Sequence, residues 1–99
     1  MNVFITGASS GIGAALARAY ASQYKNEGLN IGLVARRSEH LQNLKVLLEA
    51  QPNIRCRTYP LDVRDQQALA LAAGDFIEQA GAPNVVIACA GVSRGTLTE

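Results

Sequence analysis

Three glycines in seven positions, Gly7-Ala-Ser-Ser-Gly11-Ile-Gly13, stand between the apolar run Val3-Phe4-Ile5 and an alanine-rich stretch. Few folds place such a cluster at that junction. A short run of β-formers closed by glycine reads as a buried strand over residues 2–6. From Ile12 onward, Ala15, Leu16, Ala19 and Tyr20 recur at helical spacing, which predicts a helix that packs on the sheet through that face and ends before Gly28.

The alternation continues down the chain. Residues 29–35 form a second apolar strand ended by Arg36-Arg37, and Ser38 is placed to cap a helix carrying Leu41, Leu44, Leu47 and Leu48 on its inner side. Pro52-Asn53 closes that helix. A third strand over 54–61 exits through Asp62-Val63, and a helix over 65–80 is expected to bury Leu69, Ala72, Ala73, Phe76 and Ala80 before Gly81-Ala82-Pro83 breaks it. Residues 85–90, Val-Val-Ile-Ala-Cys-Ala, show no polar alternation, as expected of a parallel strand covered on both faces. The resulting βαβαβαβ order is that of an α/β doubly wound parallel sheet, a Rossmann fold, and right-handed crossovers leave few other topologies.

Nine Lys plus Arg against eight acids argue against a nucleic-acid or anionic-membrane partner. Apolar residues make up 48% of the chain, yet none of the runs approaches the roughly 18 residues of a membrane span. Met1-Asn2 leads directly into the first strand without a basic segment or a small-residue cleavage site, so a cytoplasmic location is expected. Cys56 and Cys89 lack CxxC spacing, and with one His in the chain they make no zinc set, so both are read as reduced core residues.

At the strand-to-helix junction, Gly7, Gly11 and Gly13 allow a tight turn, close approach of a ligand and contact of helix with strand. The helix N-terminus directs N–H groups and the positive dipole end into the loop, which suits a pyrophosphate, and Ser9 and Ser10 add hydroxyl donors. No Lys-Ser or Lys-Thr follows the last glycine, which excludes the P-loop of nucleotide triphosphatases.

Thr6-Gly7-Ala8-Ser9-Ser10-Gly11-Ile12-Gly13 fits TGxxxGxG, and here the chain resembles the short-chain dehydrogenase/reductase family, in its compact oxidoreductase branch. The resemblance covers nearly all of residues 1–99 but only the family's N-terminal part. It implies that these residues are the nucleotide-binding part of one Rossmann domain, without internal boundary, in an enzyme exchanging a hydride between nicotinamide and a carbonyl or alcohol carbon. Small-molecule substrates and a homo-oligomeric full-length form are implied with it.

The family position that selects the dinucleotide lies at the end of the second strand. An acid there would take the ribose 2′-hydroxyl of NAD; here Arg36 stands instead, suited to the 2′-phosphate of NADP, with Arg37 a second candidate whose alternative is a solvated helix start. The family's Asp-Val pair after the third strand contacts adenine, which implies that role for Asp62 and Val63; the alternative for Asp62 is a turn aspartate capping the next helix, for which Asp65 is an equal candidate. Ala90 and Gly91 match the family's Asn-Ala-Gly under the nicotinamide ribose, while Cys89 replaces its Asn with a weak thiol donor.

The family's proton carrier, a tyrosine with a lysine four residues later, is not found: Tyr20, Tyr24 and Tyr59 are followed at that spacing by Tyr24, Gly28 and Val63. The catalytic Ser and Tyr-x-x-x-Lys are expected beyond Glu99, and Thr96-Leu-Thr-Glu99 has the form of a capping box opening a further helix. The competing expectation is a dinucleotide-binding module or fragment without activity.

Overall fold

In the computed structural model, which describes residues 1–8 and 11–89, four strands and three helices alternate strictly. They are β1 (Asn2–Thr6), α1 (Gly11–Gln23), β2 (Leu29–Ala35), α2 (Ser38–Glu49), β3 (Ile54–Pro60), α3 (Gln66–Ala80) and β4 (Val85–Ala88). The strands form one all-parallel sheet in the order β3-β2-β1-β4, the doubly wound arrangement expected from the sequence.

Strand periodicity divides the core between the two faces. Val3, Ile5, Leu29, Ile31 and Leu33 point toward α1 and α2, where they meet Ala17, Ala21, Leu41, Leu44 and Leu48. Phe4 and Val34 point the other way, onto Ala72 and Phe76 of α3. Phe76 lies tilted against Phe4 with ring centroids 5.4 Å apart, and Gly32 leaves the space both rings occupy.

The face of α1 differs from the sequence expectation. Gly13, Ala17 and Ala21 are buried, whereas Ala15 and Ala19 are exposed and Leu16 and Tyr20 lie at the margin. At Gly13 the helix sits so close to the strand-helix loop that no side chain fits there. In α2, Leu47 turns outward while Leu41, Leu44 and Leu48 are buried, because at about 3.6 residues per turn Leu47 falls to one side of the stripe the other three share. Ser38 is the first residue of α2 rather than its cap; Arg37 takes the cap position with extended backbone and no side-chain bond. Asp65 caps α3 by accepting from the Ala68 N–H at 3.1 Å. Along α3, Ala72 and Phe76 are fully buried and Leu69, Ala73 and Ala80 only partly.

Residues 85–88 are a strand, as expected. Val86 is paired in register with Phe4 and shares its face, where α3 does not reach it, and it stays 64% exposed. At the opposite edge, the Cys56 N–H of β3 donates to a Glu49 carboxylate oxygen at 3.0 Å, occupying one group that would otherwise invite another strand.

At the amino end of the sheet, Asn2 ties four elements together. Its Nδ2 donates to the carbonyls of Ala80 and Ala82, its Oδ1 accepts from Asn30 Nδ2, and its backbone N–H donates to Asn84 Oδ1 at 2.8 Å. These bonds hold the amino ends of β1, β2 and β4 and the close of α3 in one register.

Candidate functional site

The carboxyl ends of the four strands leave the sheet on one side, and the loops gathered there carry the residues singled out by sequence. After Thr6 the chain turns at Gly7, whose φ of +73° a side chain would strain. A Cβ on Gly7 would overlap the Cys89 carbonyl oxygen, and one on Gly13 would overlap the Gly7 carbonyl oxygen. These two glycines thus permit β1, the start of α1 and the end of β4 to touch. Gly11, by contrast, faces open space.

Two backbone bonds complete this junction: the Ala8 N–H donates to the Val34 carbonyl at 3.0 Å, and the Cys89 N–H to the Thr6 carbonyl at 2.9 Å. Ala8 is fully buried beneath the turn. No acidic residue occupies the first turn of α1, so its positive dipole end is not neutralised from within the helix. Ile12 stands 72% exposed beside it. Ser9, Ser10, Ala90 and Gly91 lie outside the described residues, as does the Thr96–Glu99 capping pattern.

At the end of β2, Arg36 extends into solvent with its side chain 72% exposed, and its Nη1 approaches Asp62 Oδ2 at 3.9 Å. That separation is a loose ion pair, not a hydrogen bond. Asp62 is held far more firmly by Arg64, a residue the sequence reading passed over. The Arg64 backbone N–H donates to Oδ1 at 2.9 Å, its Nε reaches both oxygens at 3.2 Å, and its Nη2 donates to Oδ2 at 2.7 Å. These bonds from Arg64, with a smaller contribution from Arg36, bring the Asp62 carboxyl down from 3.8 to about 2. The available signal was the Asp62-x-Arg64 spacing, which lets an aspartate turn and a guanidinium fork close on each other.

Arg36 and Asp62 thus lie together at this end of the sheet, and Val63, 44% exposed, lies next to them. Asp62 accepts from the Arg64 backbone within its own turn, and of the two cap candidates it is Asp65 that caps α3. Arg37 stands exposed at the head of α2.

The remaining reactive groups stand apart from nucleophilic or proton-transfer roles. Burial, and then the nearby Glu49 charge, push the Cys56 thiol up to about 12; burial also raises Cys89. Tyr59 donates its hydroxyl to Asp75 Oδ2 at 2.6 Å, and burial together with that bond raises its pKa. His40 is exposed and lines a cavity of about 290 Å³ with Ala14 and Arg18, between α1 and α2. Among the described residues no group of His, Cys, Asp or Glu could hold a metal ion, and no helix is long and apolar enough to cross a membrane.

Comparison with known proteins gives the same frame. The family described as short chain dehydrogenase matches residues 1–99. An uncharacterized oxidoreductase of Mycobacterium tuberculosis is 36% identical over 94 residues, covering 94% of this chain and 36% of its own length. A 3-dehydrosphinganine reductase of Arabidopsis thaliana is 37% identical over 98 residues, 99% of this chain and 27% of the relative. Among solved structures, L-sorbose reductase from Gluconobacter frateurii, complexed with NADPH and L-sorbose, superposes with a TM-score of 0.80 at 27% identity, covering 97% of this chain and 35% of that one. The chain thus spans only about a third of the length of such relatives.

Proposed function

The chain belongs to the short-chain dehydrogenase family, and on that premise we propose that residues 1–99 are the nucleotide-binding part of one Rossmann domain in an NADP(H)-dependent oxidoreductase. The pyrophosphate would lie at the β1-to-α1 junction, held by Gly7, Ser9, Ser10, Gly11, Ile12 and Gly13. The open space at Gly11 fits this reading, since a side chain there would fill the approach that Gly7 and Gly13 shape from below. Asp62 and Val63 would meet the adenine, and Ala90 and Gly91 would pass under the nicotinamide ribose. When bound, the nicotinamide supplies or accepts the hydride exchanged with a carbonyl or alcohol substrate.

One observation carries the choice of NADP over NAD: β2 ends in an exposed guanidinium, Arg36, where a carboxylate would be needed to grip a ribose 2′-hydroxyl. Arg36 offers a planar fork to the 2′-phosphate, with Arg37 as a second cation beside it. Titration of the intact protein with NADPH and NADH, repeated for Arg36→Ala, tests the assignment. NADPH should bind more tightly, and the substitution should remove that preference; equal affinity of the unaltered protein for the two would overturn it.

The reading places the proton carrier outside residues 1–99. Tyr59, the tyrosine nearest the carboxyl ends, has its hydroxyl committed to Asp75. That engagement also favours a second reading, a module that binds the dinucleotide without chemistry. Turnover of NADPH with carbonyl compounds by the intact protein separates the two.

A further inference from the structure

A carboxylate beside the arginine meant for a phosphate poses a problem. Asp62 lies 3.9 Å from Arg36, so it both attracts that guanidinium and repels any anion arriving there. Arg64 changes the balance. It grips both Asp62 oxygens through its side chain and one through its backbone N–H, the shortest contact being 2.7 Å. A bidentate, charge-assisted pair at that distance is much stronger than the loose approach of Arg36. The pairing is also local: the Asp65 N–H donates to the Asp62 carbonyl at 2.9 Å, so the turn that presents Asp62 to Arg64 is set before either side chain meets. With Arg64 in place, two guanidinium groups face one carboxylate and the cluster is positive; without it, Arg36 and Asp62 would neutralise each other.

We propose that Arg64 is a positioning residue for 2′-phosphate recognition: by occupying the Asp62 carboxylate, it leaves the Arg36 guanidinium free to take the anion. The inference rests on the NADP(H) reading above. It explains why a site that selects phosphate can keep an acid at the end of β3, where that acid also faces the adenine side of the site. Arg64 itself need not touch the nucleotide.

The test measures dissociation constants of NADPH and NADH on the intact protein, by nicotinamide fluorescence, for the unaltered chain, Arg64→Gln and Arg64→Gln with Asp62→Asn. The quantity read is the ratio of the two constants, in which any contact of Asp62 with the shared adenine cancels. Arg64 is 80% exposed at its side chain, so its replacement leaves the fold intact. Arg64→Gln should reduce the preference for NADPH by about fivefold, the upper range for exposed ion pairs. Adding Asp62→Asn should restore the preference, because no carboxylate then competes for Arg36. An unchanged ratio in Arg64→Gln overturns the proposal, as does a double variant that stays as weak as the single one, which would make Arg64 a direct phosphate ligand. A protein whose unaltered form shows no preference for NADPH fails the cofactor reading itself, before Arg64 is compared.

Discussion

At the amino end of the sheet, Asn2, Asn30 and Asn84 lock β1, β2, β4 and α3 together with neutral amide hydrogen bonds, whereas at the carboxyl end Arg36, Asp62 and Arg64 stand as charges in solvent. Both ends are polar, but their polarity does different things. Amides satisfied by backbone carbonyls fix register and leave little for a ligand to bind. Exposed ion pairs add little to stability and remain available to an incoming anion. Because all four strands run parallel, every loop of the second kind emerges at the same end.

The largest effect expected from breaking this division falls at its hinge. Gly13→Val places a Cβ and two methyl groups against the Gly7 carbonyl and should cost about 3 kcal/mol, since neither backbone can move without parting α1 from β1. Urea unfolding measures it, and a loss below about 1 kcal/mol would mean the junction is looser than its geometry indicates. Arg36→Ala comes next and acts on binding alone: a lost charged hydrogen bond of about 2 kcal/mol weakens NADPH roughly 30-fold, with the unfolding midpoint unchanged. Asn2→Ala does the reverse. Removing a side chain that serves Ala80, Ala82 and Asn30 should cost about 1.5 kcal/mol of stability while NADPH affinity stays constant, and a fall in affinity would dissolve the contrast between the ends.

How far these ends could be read from sequence depended on whether the signal was local. The strands were legible because each is an apolar run bounded by breakers, and Arg36 was legible because it directly follows one. The face of α1 was not. Ala15, Leu16, Ala19 and Tyr20 form as good a periodic stripe as Gly13, Ala17 and Ala21, and the closeness of Gly13 to Gly7 that marks the buried face is visible only in the fold. Leu47 misled for a related reason, since four leucines fill more of a helix surface than α2 buries. Arg64's pairing with Asp62 was within reach of the local spacing, but the approach of Arg36 to the same carboxylate was hidden, since those two meet only through the ends of two strands. The Asn2 network required the fold as well, since Asn2 and Asn84 are distant in sequence.

The smallest expected effect sharpens the comparison most cleanly, because protons and salt distinguish amides from ions. Asp62 has its pKa lowered from 3.8 to about 2, first by the side-chain bond from Arg64. A carboxyl depressed in the folded state contributes stability that is fully present above its unfolded value and is lost as pH falls through the folded one. Stability from the carboxyl end should therefore hold above about pH 4 and decline toward pH 2 by an amount attributable to Asp62. That part of the decline should vanish in Asp62→Asn and shrink in high salt, which screens exposed pairs. Asn2, Asn30 and Asn84 carry no titratable group, so the destabilisation caused by Asn2→Ala should be the same at pH 3 and pH 7, a difference measured by parallel urea titrations. If Asp62→Asn left the acid limb untouched, the Arg64–Asp62 pair would contribute nothing to folding, and if the cost of Asn2→Ala changed with pH, the amide network would be coupled to a titrating group; either result breaks the contrast between the two ends.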